Sequence, residues 1–348
     1  MNAFPVHPDD ITDDWWNAVI GRVPTRWRWE PIGTGQVGDS VRFTLDFPDE
    51  PGVTLAGKFA AADPTSRATA AMLGLYAKEV RFYRDLAPQL PIRTPRTFAA
   101  DMAEDGTSFV LLFEDLGPAR GGNQLAGCTI EDARAVIRQA AALHAPSWHN
   151  PAMLDLAWLQ PDPAAAAQVK ALYPRAQAVF RDRYRDALEP EFMALCEALA
   201  EHTAATDRTP EKVCLVHGDF RLDNVLFDIK GGTEGVAVLD WQTLTIGNGL
   251  TDIGYFLGCG IGDSLRREAE RELLELYCAE MTAWGVPLTV EAVWRDYVVG
   301  ALHGVSTAVF SSAFVVQTER GDANFLSMAR GACALCLAHG SLDLLEQG

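Results

Sequence analysis

The stretch Val213-Cys-Leu-Val-His217-Gly218-Asp219-Phe220-Arg221-Leu222-Asp223-Asn224-Val-Leu-Phe227 sets a histidine, two aspartates and an asparagine between two short apolar runs. Polar groups so placed are costly unless satisfied, so the loop is either a hydrogen-bonded corner or a reactive site. A second apolar run, Val236-Ala-Val-Leu239, ends in Asp240-Trp241-Gln242. Asparagine and aspartate oxygens are hard ligands, and Mg2+ is usually held by one or two of them together with nucleotide phosphates. Asp219 is placed to receive a proton from an attacking hydroxyl. An Asp-x4-Asn loop followed by a strand-borne Asp is the layout of phosphoryl transfer, with Asn224 and Asp240 as metal ligands.

These groups need elements to hold them. Apolar run, polar cluster and apolar run read as strand, tight loop, strand. The turn-rich Asp228-Ile-Lys-Gly-Gly-Thr-Glu-Gly235 predicts a hairpin that carries Asn224 and Asp240 to neighbouring positions. Upstream, Trp27 to Ile32 reads as a strand, followed by Gly33-Thr-Gly35-Gln-Val-Gly38 and a second alternating strand, Ser40 to Phe47. A dinucleotide-binding unit would need a helix after the glycines. Strand, glycine loop, strand is the kinase arrangement, with the loop folded over phosphates; a plain hairpin turn is the alternative. Lys58 sits in the apolar strand Val53 to Phe59. There it needs an anionic partner, unless the strand is an edge and the lysine faces solvent.

His217-Gly218-Asp219-x4-Asn224 followed by Leu239-Asp240-Trp241 resembles the aminoglycoside phosphotransferase and choline kinase superfamily, and the Asp240-Trp241-Gln242 ending is most similar to its ecdysteroid-kinase-like branch. The resemblance covers the chain from about Trp27 onward. It implies that Lys58 contacts nucleotide phosphates and pairs with a helix glutamate, best matched by Glu79 in a helix over 66–86; a solvated helix charge is the other reading of Glu79. It further implies a hinge after the strand Ser108 to Phe113, where backbone groups of Glu114 and Leu116 would read adenine. Asp252, after Gly247-Asn-Gly-Leu-Thr, fits an acid that braces the catalytic loop, and His144 reads as a core histidine.

The chain has 348 residues, 48% of them hydrophobic, enough for two lobes with a real core. Its net charge of −18, from 29 basic and 47 acidic residues, argues against nucleic acid and anionic membrane surfaces as partners. Seven cysteines without framework spacing suggest reduced thiols and a cytoplasmic location. Cys333 and Cys336 form the one close pair, inside a helical pattern with no second ligand pair nearby. The N-terminus is acidic without an apolar core, so no secretory signal is expected. The longest apolar stretch, Val305 to Val316, is too short to span a bilayer.

The expected fold is therefore α+β, bilobal and protein-kinase-like. Residues 1–115 form a small antiparallel-sheet lobe that binds nucleotide. Residues 116–348 form a larger, mostly helical lobe with catalytic and acceptor sites, including an Ala-rich helical insertion over 152–207. The expected activity is ATP-dependent phosphorylation of a hydroxyl on a small molecule, with Asp219 as base, His217 supporting its loop, and ATP and Mg2+ as cofactors. The acceptor is left open between an aminoglycoside, a lipophilic alcohol or sterol, and a hydroxyacyl-CoA. A catalytically silent nucleotide-binding module is the alternative. A protein kinase is disfavoured, because the loop reads His-Gly-Asp and no Asp-Phe-Gly or Ala-Pro-Glu segment follows Asp240.

Overall fold

The computed structural model describes residues 4–33, 38–160, 163–202, 211–315 and 317–346. The chain divides into two compact units: residues 1–119 with 228–244, and residues 120–227 with 245–348. The sequence suggested one boundary near residue 115. The structure instead returns the Asp240-bearing segment to the first unit.

The first unit opens with α1 (Asp13–Ile20), capped by the Thr12 hydroxyl and carrying Asp13 and Asp14 in its first turn. Five strands follow: β1 (Arg26–Pro31), β2 (Gly38–Asp46), β3 (Val53–Ala60), and, after the helices α2 (Pro64–Met72) and α3 (Leu75–Arg81), β4 (Thr97–Met102) and β5 (Phe109–Glu114). They form one antiparallel sheet in the order β1-β2-β3-β5-β4. Alternation sends Val41, Phe43, Leu45, Leu55 and Phe59 to one face, where they pack with Trp16 of α1. Ala56, Lys58 and Ala60 take the opposite face. Because β3 lies between β2 and β5, Lys58 is on a central strand, which removes the edge-strand alternative.

The single helix expected over 66–86 is two. Gly74 adopts a left-handed backbone (φ +68°) that a side chain would resist, and α3 begins immediately after it. Beyond Arg81 the helix widens into a π-helical turn, Phe82–Leu86.

The second unit begins with β6 (Arg120–Gly121) and α4 (Ile130–Ser147), the latter started by a reciprocal Thr129–Asp132 capping box. Helices α5 (Pro151–Leu154), α6 (Pro163–Tyr184) and α7 (Pro190–Glu201) occupy the predicted helical insertion, whose residues 203–207 lie outside the described residues. Strands β7 (Cys214–Val216) and β8 (Val225–Phe227) flank the polar loop. The chain then returns to the first unit through the turn α8 (Ile229–Gly232) and β9 (Val236–Val238). Back in the second unit, β10 (Thr245–Gly247) pairs antiparallel with β7. Helices α9 (Leu250–Cys259), α10 (Asp263–Ala283), α11 (Val290–Gly300), α12 (Leu302–Phe314), α13 (Glu319–His339) and α14 (Ser341–Glu346) complete it. Every residue of α9 except Thr251 is buried. Cys333 and Cys336 are both buried in α13. Tyr297 of α11 is buried, while Trp284 after α10 and Phe314 at the end of α12 are about half exposed, at 51% and 53%.

The stretch Val290–Phe314 is long and apolar enough to cross a membrane, a longer window than the Val305 to Val316 run. It is two successive helices, α11 and α12, and half of its apolar window is buried inside the protein.

Candidate active site

In the first unit, β3 presents Lys58 to α3. Lys58 Nζ lies 2.8 Å from each oxygen of Glu79 and 3.7 Å from Asp240 Oδ1. Burial alone would push the ammonium down, but Glu79 and Asp240 outweigh it and hold Lys58 above its ordinary value. Glu79 is 1% exposed, not a solvated helix charge, and takes a further hydrogen bond from Gln242. Trp241 stacks on Phe82 with ring centroids 3.7 Å apart and planes at 10°. The Asp240-Trp241-Gln242 run is thus fixed to the helical segment that bears Glu79. Asp240 itself has a left-handed backbone (φ +63°), uncommon for a residue with a side chain and often found at functional sites.

Of the glycine loop, Gly33 (φ +77°) and Gly38 are described, and Gly35 lies outside the described residues. Gly38 begins β2 so close to Lys58 that a Cβ there would sit 3.3 Å from Lys58 Cε. At the end of β5, the Glu114 side chain bonds Arg93 and Lys230. The Leu116 carbonyl accepts from Lys230 N at 2.8 Å, and the Leu116 N–H has no partner among the described residues.

In the second unit, the loop between β7 and β8 turns at Gly218 (φ +83°) and is braced from the start of α9. Asp252, fully buried, accepts from His217 N at 2.7 Å and Gly218 N at 3.0 Å. His144 lies behind it, with Nε2 3.2 Å from Asp252 and Nδ1 3.0 Å from Tyr277 Oη. His217 Nδ1 accepts from Asp219 N at 3.2 Å, and the Gly218 carbonyl lies 2.7 Å from His303 Nε2.

Asp219 is held by three side chains. Tyr255 Oη (2.8 Å) and Arg221 Nε (2.9 Å) donate to Oδ1, and Asn224 Nδ2 (2.8 Å) donates to Oδ2. Burial works against its charge, but Arg221, His217, Tyr255 and Asn224 more than offset that and hold the carboxyl below its ordinary value. The cation beside it within the unit is Arg221. Asn224 also donates to the Asp219 carbonyl at 2.8 Å. Its amide nitrogen is thereby committed, and Oδ1 is left without a partner among the described residues.

Tyr255, Arg221 and His303 were given no role from the sequence, and Gln242 was noted only as part of the Asp240-Trp241-Gln242 ending. Arg221 lies inside the motif. Tyr255 follows Asp252 by one helical turn, so a bracing Asp252 places Tyr255 on the same face. His303 carried no signal.

Asp252 permits a stability prediction. Asp252→Asn keeps the shape but supplies an N–H where a backbone N–H needs an acceptor, so stability should fall by about 1–3 kcal/mol. Burial raises the Asp252 carboxyl, but the His144 hydrogen bond, His144 and His217 charge effects and the Gly218 N–H together leave it lowered. A lowered folded value means that its contribution is complete above the ordinary 3.8 and is lost as pH falls through the folded value. Urea unfolding against pH should therefore show a weaker acid loss in the variant; identical curves would refute the brace.

A buried lysine–glutamate pair beside an exposed aspartate, and a braced Asp–Asn loop, are the parts that phosphoryl transfer uses. The chain belongs to the phosphotransferase enzyme family, whose model matches residues 58–287. Its fold is similar to that of a presumed aminoglycoside phosphotransferase from Ralstonia eutropha JMP134, with a TM-score of 0.57, 17% identity and coverage of 94% of this chain and 97% of that one. Among curated proteins it is 40% identical over 67 residues to acyl-CoA dehydrogenase family member 11 of Pongo abelii, covering 19% of this chain and 8% of that protein. The same-named protein of Mus musculus is 52% identical over 42 residues, covering 12% and 5%. The chain thus spans under a tenth of the length of these relatives.

Proposed function

We propose that the chain transfers the terminal phosphoryl group of ATP to a hydroxyl of a small molecule, with Asp219 as the base. The observation that carries this reading is the bonding of Asp219. Its donors keep it ionised, while its side chain stays 22% exposed and open to an acceptor. His217 and Asp252 hold its loop in shape. Lys58, kept charged by its carboxylates, and the loop from Gly33 to Gly38 position the phosphates, and the free Leu116 N–H with the Glu114 backbone reads adenine. Catalysis of this kind is mainly positioning and charge neutralisation.

The residues present suit Mg2+. Asn224 offers an uncommitted oxygen, and the Asp240 carboxylate is 42% exposed. Among the described residues no three His, Cys, Asp or Glu side chains form a metal cage. Mg2+ is commonly held by one or two protein oxygens together with phosphates. When bound, the ion would neutralise phosphate charge. All seven cysteines are unbridged, which suits a reducing cytoplasm.

A silent nucleotide-binding module has no need of Asp219 as a held, ionised carboxylate, and phosphoryl transfer to a panel of alcohols separates the two readings. The panel should contain aminoglycosides, lipophilic alcohols and hydroxyacyl thioesters, the last because of the short segments shared with acyl-CoA dehydrogenase family members. Product is read as a phosphoryl mass gain. Turnover should vanish with chelator and return with magnesium; full activity in excess chelator would remove Asn224 and Asp240 from the metal role.

A further inference from the structure

The segment 228–244 is fastened to the rest of the first unit by a closed ring of alternating charge. Arg93 Nε bonds Glu234 Oε2 and Arg93 Nη1 bonds Glu114 Oε1, both at 2.7 Å. Lys230 Nζ lies 2.6 Å from Glu114 Oε2 and 2.9 Å from Glu234 Oε1. Backbone bonds join the same pieces: Lys230 N to Leu116 O and Gly231 N to Pro118 O at 2.8 Å, and Val238 N to Arg93 O at 2.9 Å. Arg93 therefore grips the segment twice, by its side chain at Glu234 and by its carbonyl two residues before Asp240. It also grips Glu114, at the end of β5 where the adenine-reading backbone begins.

Isolated pairs this exposed contribute little, but a closed network with a shared guanidinium fixes geometry as well as charge. Hydrogen bonds from Arg93 and Lys230 hold Glu234 down to about 2, so the ring stays charged at neutral pH.

We infer that Arg93 is a positioning residue that sets the Glu114–Leu116 backbone and Asp240 in one register, so that nucleotide and metal bind as a unit. This rests on the kinase reading above. A ring that served stability alone would lower the melting temperature without moving ligand midpoints.

The test reads binding first. A fluorescent ADP analogue is titrated at several Mg2+ concentrations into wild type, Arg93→Met, Arg93→Lys and Glu234→Gln, with a thermal melt on each. Arg93→Met should raise the nucleotide Kd and the Mg2+ midpoint together by about 10-fold or more, the range for residues supporting a metal ligand. Glu234→Gln, at a partly exposed position that should fold normally, should raise both by up to about fivefold. The carbonyl contact survives in both Arg93 variants, and Arg93→Lys keeps one ion pair as well, so it should fall between wild type and Arg93→Met. High salt should narrow the gap between wild type and Arg93→Met by screening the ring. Where turnover is measured, kcat at saturating nucleotide and metal should stay close to wild type.

Unchanged midpoints in folded Arg93→Met or Glu234→Gln would overturn the inference, as would a fall in kcat with midpoints unmoved. If wild type itself binds no magnesium–nucleotide, the kinase reading fails and this one with it. If wild type binds and the variants bind equally well, only the positioning role fails.

Discussion

Asp219→Asn should lower phosphoryl transfer to the true acceptor by about 10²–10⁴-fold, the usual loss on removing a general base. The fold should survive, because the loop is held by Asp252 through the backbone of His217 and Gly218, which the substitution leaves alone. Magnesium–nucleotide binding should also survive. Asn224 loses a partner at the carboxylate but keeps the Asp219 carbonyl, so its Oδ1 remains available. An asparagine side chain has one acceptor oxygen, against two in the carboxylate, and must set its own N–H groups against Tyr255, Arg221 or Asn224. The substitution therefore removes both the proton acceptor and the orientation of the hydroxyl. Because the carboxyl lies below its ordinary value of 3.8, the wild-type acid limb of kcat should fall below that value, with activity lost as pH falls through it. Nucleotide affinity and turnover are measured on one preparation. Normal turnover would show that Asp219 is not the base; equal loss of binding and turnover would make its role structural or metal-binding.

The legible parts of the site were those whose constraint is local. The 213–227 stretch showed strand, loop and strand because apolar runs abut a polar cluster, and Lys58 stood out because a lysine in an apolar strand needs a counter-charge. Glu79 came from resemblance, and the buried helix face confirmed the contact but not by any pattern of its own: Lys78 and Arg81 beside it disguise a carboxylate that turns inward. The bonds to Asp219 from Tyr255 and to the Gly218 carbonyl from His303 join residues far apart in sequence, and no spacing encodes them. The same holds for Arg93, whose partners Glu114 and Glu234 are brought to it by the sheet and by the returning segment. The break at Gly74 was visible as a glycine, but helix patterns tolerate isolated glycines at a cost near 1 kcal/mol, so the residue alone did not decide it. β4 escaped because Thr97–Met102 at the sheet edge carries a weak alternation and an exposed Asp101.

Lys58→Ala should have the second large effect, and the geometry makes it asymmetric with its partner. Removing the ammonium leaves Glu79 in place, with its side chain 2% exposed and the Gln242 amide as a remaining donor. A buried charge stripped of its partner costs about 3–5 kcal/mol, which Glu79 can lessen only by taking up a proton. Neutral Glu79 no longer repels Asp240, but the positive charge that would meet the phosphates is gone. Nucleotide use should therefore fall steeply, in KM for ATP and in kcat/KM. Glu79→Ala removes the other half of the pair, yet Lys58 keeps Asp240 at 3.7 Å and is itself 15% exposed, so its charge survives with more freedom of position. That variant should lose less, both in stability and in nucleotide use. The two are compared by urea unfolding and by ATP saturation at fixed acceptor and magnesium. A wild-type KM for ATP in Lys58→Ala would remove Lys58 from the nucleotide site. A loss in Glu79→Ala equal to or greater than that in Lys58→Ala would show that Asp240 does not hold the lysine in place, and the ordering argued from these distances would be wrong.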